Sequence, residues 1–156
     1  MNISNNLDNE LNNLLKEYLN QNKAIFHTDQ KESIISAISP ETKTLVVQKT
    51  GWGKSAVYFI AAKYLRQKHN KITIIVSPLI SLIRDQERAA KNFINIETIH
   101  SDQDPEEMFE TKRKIVMDEL DVLIISPERF FNNDFMNNVF PVILEKIGLF
   151  VVDEAH

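Results

Sequence analysis

Apolar positions along this chain come in two textures, and the change falls near residue 42. Before it, Leu7, Leu11, Leu14, Leu15, Tyr18 and Leu19 recur at the spacing of one helix face, among asparagines that mark a solvated side. A second helix is predicted to start after Thr28 or Asp29, to carry Ile34, Ile35 and Ile38, and to end at Pro40. Beyond residue 42 the apolar residues bunch into short runs: TLVV (44–47), ITIIV (72–76), VLII (122–125) and LFVV (149–152), with ETIH (97–100) a mixed fifth. Helical stretches separate them. One carries Val57, Ile60, Ala61 and Leu65, a second covers 79–90, and another runs to about Lys146. A further helix opens at Asp104, with Pro105 at its first position and Glu107 closing a capping box.

Strands that are apolar throughout are buried on both faces, and strands alternating with helices make a parallel sheet. The pattern therefore predicts a doubly wound α/β domain over residues 23–156, preceded by an Asn-rich helix in 1–22. LFVV is expected to be a central strand with an apolar face left uncovered, so that the stop after His156 falls inside the domain.

Composition narrows the partners. The net charge of −4 argues against a strongly basic, non-specific nucleic-acid binder, so any such contact is a local patch. With no cysteine there are no disulfides or thiolate metal sites. His27, His69, His100 and His156 show no metal-ligand spacing. Neither a membrane-length apolar run nor a signal-peptide pattern is present, which makes a cytoplasmic protein the default expectation and a membrane partner none.

QKTGWGKS (48–55) falls between a predicted strand and a helix, the setting of a phosphate-binding loop. Thr50, Gly51, Trp52 and Gly53 form the turn, and the glycines let backbone N–H groups approach a phosphate. Lys54 can reach the outer phosphates, Ser55 can ligate Mg²⁺, and the helix start adds positive potential. Gln48 stands where the strict pattern has glycine. Trp52 is expected to be partly exposed, packed on a neighbour or covering a nucleotide.

LFVVDEAH (149–156) supplies the second element such a site needs. Asp153 suits Mg²⁺ held through water, and Glu154 is placed to orient or deprotonate an attacking water. Both sites would meet at the carboxyl edge of the sheet. The cluster Lys112, Arg113 and Lys114 reads as a solvated face opposite Met108, Phe109 and Ile115, and Phe130, Phe131, Phe135 and Phe140 read as core.

With these residues in hand, the chain resembles superfamily 2 helicases of the DEAD/DEAH type, and most of all the RecQ family of ATP-dependent DNA helicases. FHTDQKESI (26–34) resembles its adenine-reading motif, QKTGWGKS motif I, VSPLISLIRDQ (76–86) motif Ia, SPERF (126–130) motif Ib and VVDEAH motif II. Motif I of this superfamily often lacks the first glycine, which accounts for Gln48. The resemblance implies a RecA-like first lobe using ATP and Mg²⁺, with Gln30 reading adenine. It implies single-strand phosphate contacts by Ser77, Pro78, Leu79, Arg84, Ser126, Pro127 and Arg129, and a coupling role for His156. His27 and Lys23 stand where the family pattern has an arginine and an aromatic, so the adenine-stacking pair is not reproduced.

By the same resemblance the parent would move 3′ to 5′ on single-stranded or forked duplex DNA, with a second RecA-like lobe of that parent completing the ATP site. This chain alone is expected to bind MgATP weakly and hydrolyse it negligibly. The alternatives are another superfamily 2 motor (an RNA helicase or a defence-system translocase) and a nucleotide-binding module without catalysis.

Overall fold

The computed structural model describes residues 3–78 and 80–154. Leu79 and His156, both expected above to have roles, lie outside the described residues. In chain order the elements are α1 (Ile3–Leu19), α2 (Gln30–Ile38), α3 (Lys54–His69), β1 (Ile72–Val76), α4 (Ile80–Ala90), β2 (Ile96–Ile99), α5 (Pro105–Val116), β3 (Val122–Ile125) and α6 (Pro127–Phe130). A π-helical turn (Phe135–Val139), α7 (Phe140–Ile143), a 3-10 turn (Leu144–Lys146) and β4 (Ile147–Val152) follow.

The four strands lie in the order β2-β3-β1-β4, and every neighbouring pair is parallel. Parallel neighbours need long crossovers, and the helices between the strands supply them. Alternate residues of the strands face opposite sides. Ile72, Ile74 and Val76 join Ile99, Leu123 and Ile125 in one core, closed by Ile115 of α5 and by Phe135, Val139 and Ile143. Ile75, Ile96, Val122 and Ile124 face the other core, closed by Leu11, Leu14 and Leu15 of α1, Ile34 of α2, and Phe59 and Ile60 of α3. ITIIV is buried at every position, Thr73 included, because both its faces are covered. This is an incomplete RecA-like α/β fold. The leucines of α1 belong to the same core as the sheet.

Local signals set several element ends. Asp104 accepts hydrogen bonds from the N–H groups of Glu106 and Glu107 at 2.9 Å each, and Pro105 occupies the first turn of α5. Pro141 lacks the N–H that a continuous helix requires, and the stretch expected to run unbroken to Lys146 is split into π, α and 3-10 turns around it.

Four expectations need correction. TLVV forms no strand: Leu45 is 85% exposed and Val47 78%. β1 has both edges filled by β3 and β4, and the segment joins neither outer edge of the sheet, at β2 or at β4. Instead Thr42 and Thr44 fasten the start of the segment to α2, the Thr42 hydroxyl donating to the Ser39 carbonyl and the Thr44 hydroxyl meeting that of Ser36. LFVV lies in the edge strand β4 rather than a central one. Its Leu149 and Val151 pack on the α1–α3 core, while Phe150 and Val152 stay about half exposed. Phe131 is exposed, although Phe130 and Phe140 pack on the buried Phe135 core as expected. Phe109 is exposed too, and Thr111 takes the buried place beside Ile115 on α5.

Candidate nucleotide site and nucleic-acid face

The loop before α3 turns through a Trp52 N–H to Lys49 carbonyl hydrogen bond. Gly51 (φ 83°) and Gly53 (φ 97°) both occupy the left-handed region that side chains disfavour. A Cβ at Gly53 would also sit 2.7 Å from Gln30 Nε2, so the Gln30 amide would have to move. Gln30 is buried against the loop. Its Nε2 donates to the Gly53 carbonyl at 3.1 Å and its Oε1 accepts from the His27 N–H at 3.1 Å. Both ends of the amide expected to read adenine are therefore engaged by the protein. Lys54 Nζ donates to the Gln48 carbonyl at 3.0 Å, within its own loop. Trp52 is half-buried and packs on the α1–α3 core. Thr50 is exposed.

The sheet brings the other candidates to the same edge. Three ladder bonds continue just past the strand ends. The Ser126 N–H donates to the Ile99 carbonyl at 3.0 Å, that of Ser77 to Ile125 at 3.1 Å, and that of Asp153 to Val76 at 2.9 Å. Ser126, Ser77 and Asp153 thus stand side by side at the carboxyl ends of β3, β1 and β4. Asp153 also reaches the loop. The Tyr58 hydroxyl lies 3.0 Å from Ser55 Oγ and 3.5 Å from Asp153 Oδ2, joining residues on opposite sides of the motif pair. Gln86 Nε2 donates to Tyr58 at 2.7 Å and to Asp153 Oδ2 at 2.9 Å. Burial, with the Asp153 charge next in weight, pushes the Tyr58 hydroxyl pKa far above its ordinary value, so it stays protonated. Glu154 follows with φ 54°, and its N–H donates to Asp153 Oδ1 at 3.2 Å.

The proposed strand-contact residues divide by exposure. The Ser77 and Ser126 side chains are enclosed, at 0% and 1% exposure, and neither hydroxyl has a hydrogen-bond partner. Ser126 precedes α6 without a side-chain cap, and a helix of four residues has only a small dipole. Pro78 and Arg84 are exposed, while Pro127 and Arg129 are half-buried. Arg129 donates to the Ser101 carbonyl at 3.4 Å, which ties the loops after β3 and β2 together. Arg84 borders a groove of about 580 Å³ between α4, β2 and α5, which also holds Glu87, His100, Gln103 and Glu107. Burial, then the nearby Glu97 charge, pushes the Glu87 carboxyl pKa up. Lys112, Arg113 and Lys114 are each ion-paired, with Asp134, with Glu110 and Glu119, and with Glu97.

The pattern of the DEAD/DEAH box helicase family matches residues 27–156. The chain belongs to the DEAD/DEAH box helicases. Over 128 residues it is 40% identical to the ATP-dependent DNA helicase Q-like 5 of Arabidopsis thaliana, covering 82% of this chain and 13% of the relative. It is 33% identical over 132 residues to the ATP-dependent DNA helicase RecQ of Haemophilus influenzae, covering 84% of this chain and 20% of that protein. With the RecQ of Bacillus subtilis it shares 33% over 146 residues, 92% of this chain and 23% of the relative. The chain thus spans less than a quarter of the length of these RecQ-type relatives.

Two residues of this helicase domain joined the site without being foreseen. Tyr58 lies three positions after Ser55 on α3, so helix geometry alone puts its ring beside the hydroxyl. Gln86 is a neutral polar residue four positions before the fully buried Ala90, on a helix whose neighbouring exposed positions carry charge. An uncharged amide on an inward face is the signal that could have found it. The donor set also suits a hard divalent cation. Ser55 and Asp153 offer a hydroxyl and a carboxylate oxygen, both within reach of one phenol, and no softer ligand intervenes.

Proposed function

We propose that residues 23–156 are the ATP-binding lobe of a RecQ-like DNA helicase. In its parent this lobe would couple ATP hydrolysis to 3′–5′ movement along single-stranded DNA and to unwinding of forked duplexes. The observation that carries the reading is the link through Tyr58 and Gln86: the Tyr58 hydroxyl donates to Ser55 of the phosphate loop and accepts from Gln86, whose amide also donates to Asp153 at the strand end. A loop of this sequence could be a mere turn, and two acids after a strand a mere surface. Their meeting through this link favours a shared ligand.

In this reading the glycine turn and the first N–H groups of α3 receive phosphate oxygens. Lys54 leaves the Gln48 carbonyl to meet the outer phosphates as a point charge. Ser55 and Asp153 would hold Mg²⁺, Asp153 through water. When bound, the ion neutralises charge on the phosphate oxygens. Glu154 orients the attacking water and takes its proton. The strained backbone at Glu154 suits a residue placed for chemistry. Gln30 holds the Gly53 carbonyl, and its second amide proton and second oxygen lone pair are what it would offer to adenine.

DNA rather than RNA is favoured because the RecQ-type relatives are named as DNA helicases. In the parent, the lobe acts together with a second RecA-like lobe that supplies arginines to the γ-phosphate, a contribution of roughly 10³-fold or more in rate. Residues 1–156 alone bind MgATP weakly and turn it over negligibly. Robust DNA-stimulated ATP hydrolysis by this chain would contradict that division of labour. In a chain carrying both lobes, Lys54→Ala abolishes turnover and unwinding while far-UV circular dichroism stays unchanged. Unwinding at the original rate by that variant would overturn the site assignment.

A further inference from the structure

Gln86 is buried, and burying an amide is costly unless its polar atoms are bonded. An apolar side chain would fill the same space next to Ala90 at lower cost. The amide is instead committed to one direction. An ionised carboxylate only accepts, so Asp153 fixes the Gln86 NH₂ toward itself and leaves Oε1 on the far side. Oε1 has no hydrogen-bond partner. The two Nε2 protons go to Asp153 Oδ2 at 2.9 Å and to the Tyr58 hydroxyl at 2.7 Å. The Tyr58 proton then faces Ser55 Oγ at 3.0 Å in preference to Asp153 at 3.5 Å. One amide therefore orients both oxygens that would face the metal, one directly and one through the phenol.

We propose that Gln86, acting with Tyr58, is a positioning residue that holds Asp153 and Ser55 in the arrangement the Mg-nucleotide needs. This rests on the reading of Ser55 and Asp153 as the metal side of the site. Gln86 touches neither nucleotide nor metal in this role; it acts through the carboxylate. Because it rides on α4, the helix that follows Ser77 and Pro78, the set of Asp153 depends on where α4 lies. Displacing α4 by about 1 Å would take the 2.9 Å contact beyond hydrogen-bonding range.

The test is titration of this chain with a fluorescent N-methylanthraniloyl ATP analogue, once in excess Mg²⁺ and once in EDTA. Partners that orient metal ligands are worth about 10- to 100-fold in metal affinity. Gln86→Leu is therefore expected to weaken binding in Mg²⁺ by roughly 10-fold and to leave binding in EDTA unmoved. Tyr58→Phe should give a smaller loss of the same kind. The double variant should lose less than the sum, because both act on the same two oxygens. Equal losses with and without Mg²⁺, or none in either, would overturn the role. If Gln86→Leu lowers the thermal midpoint enough to confuse the reading, Tyr58→Phe carries the test on its own. Asp153→Asn separates the two claims. If it abolishes the Mg²⁺ effect while Gln86→Leu does not, only the positioning role fails. If the Mg²⁺ effect survives Asp153→Asn, the reading of the metal side fails with it.

Discussion

At the amino ends of the strands, Arg66 reaches from the last turn of α3 to Asp118 at 3.0 Å and Asp121 at 3.3 Å, and Lys146 adds a 3.3 Å contact to Asp118. The second oxygen of Asp121 accepts from the Asn95 N–H at 3.0 Å. At the carboxyl ends, the hydroxyls of Ser77 and Ser126, His100 Nδ1, Gln103 Oε1 and Gln86 Oε1 are buried with no hydrogen-bond partner. The exception among the described residues is Thr73 Oγ1, at the second position of β1 and so at the amino end, where the Thr73 N–H donates to the Asp121 carbonyl. Five of the six such atoms among the described residues thus lie at the carboxyl end of the sheet, and one lies at the amino end. Folding alone has no use for open ones, since each costs about 1–3 kcal/mol. The amino edge is built for stability. Most of the open polar atoms lie at the carboxyl edge, where the glycine loop and the acid pair meet, which is the arrangement the proposed ligand site calls for.

The contrast predicts unequal responses to mutation. Arg66→Ala leaves the Asp121 and Asp118 carboxylates without their main partner at a mostly buried position, and should cost about 3 kcal/mol in urea unfolding. A change under about 0.5 kcal/mol would mean the amino edge is not a clamp.

The acid limb comes next. Burial pushes the Asp118 pKa up, but the Arg66 hydrogen bond and charge, with Lys146, outweigh it and hold the carboxyl below its ordinary value. A carboxyl held down in the fold takes up its proton more readily when unfolded. Its stabilisation is therefore full above about pH 4 and lost as pH falls through its lowered folded value. Arg66→Ala should flatten that part of the stability profile, and an unaltered acid limb would count against the assignment.

Ser77→Ala and Ser126→Ala should have the smallest effect. They remove hydroxyls that bond to nothing within the fold, so stability should move by less than about 0.5 kcal/mol, or rise. A loss of 2 kcal/mol or so would mean that both hydroxyls already have partners, erasing the difference between the edges.

Much of this was legible in the sequence, for physical reasons that can be named. ITIIV and VLII were clear because burial on both faces leaves every position enclosed, and only Thr73 among them is polar. Asp104 and Pro105 were clear because a cap is a local device. The loop was clear because Gly51 and Gly53 need a backbone that only glycine adopts freely. TLVV misled because its composition is that of a strand, while strand formation depends on a neighbour that the run itself does not encode. LFVV was read as central on the same ground and lies at the edge, where only Leu149 and Val151 are packed. Gln86 on α4 and Tyr58 on α3 were missed because their roles depend on meeting Asp153 just past β4, 67 and 95 positions away, which periodicity cannot supply.

The most direct test uses Trp52, the only tryptophan of the chain, set between the two loop glycines. Intrinsic fluorescence is followed as MgATP is added to the chain and to Lys54→Ala. The account predicts a saturable change in Trp52 emission that disappears in Lys54→Ala while the circular dichroism spectrum is retained. No saturable change, or the same change in both proteins, would contradict the claim that this edge of the sheet is a nucleotide site.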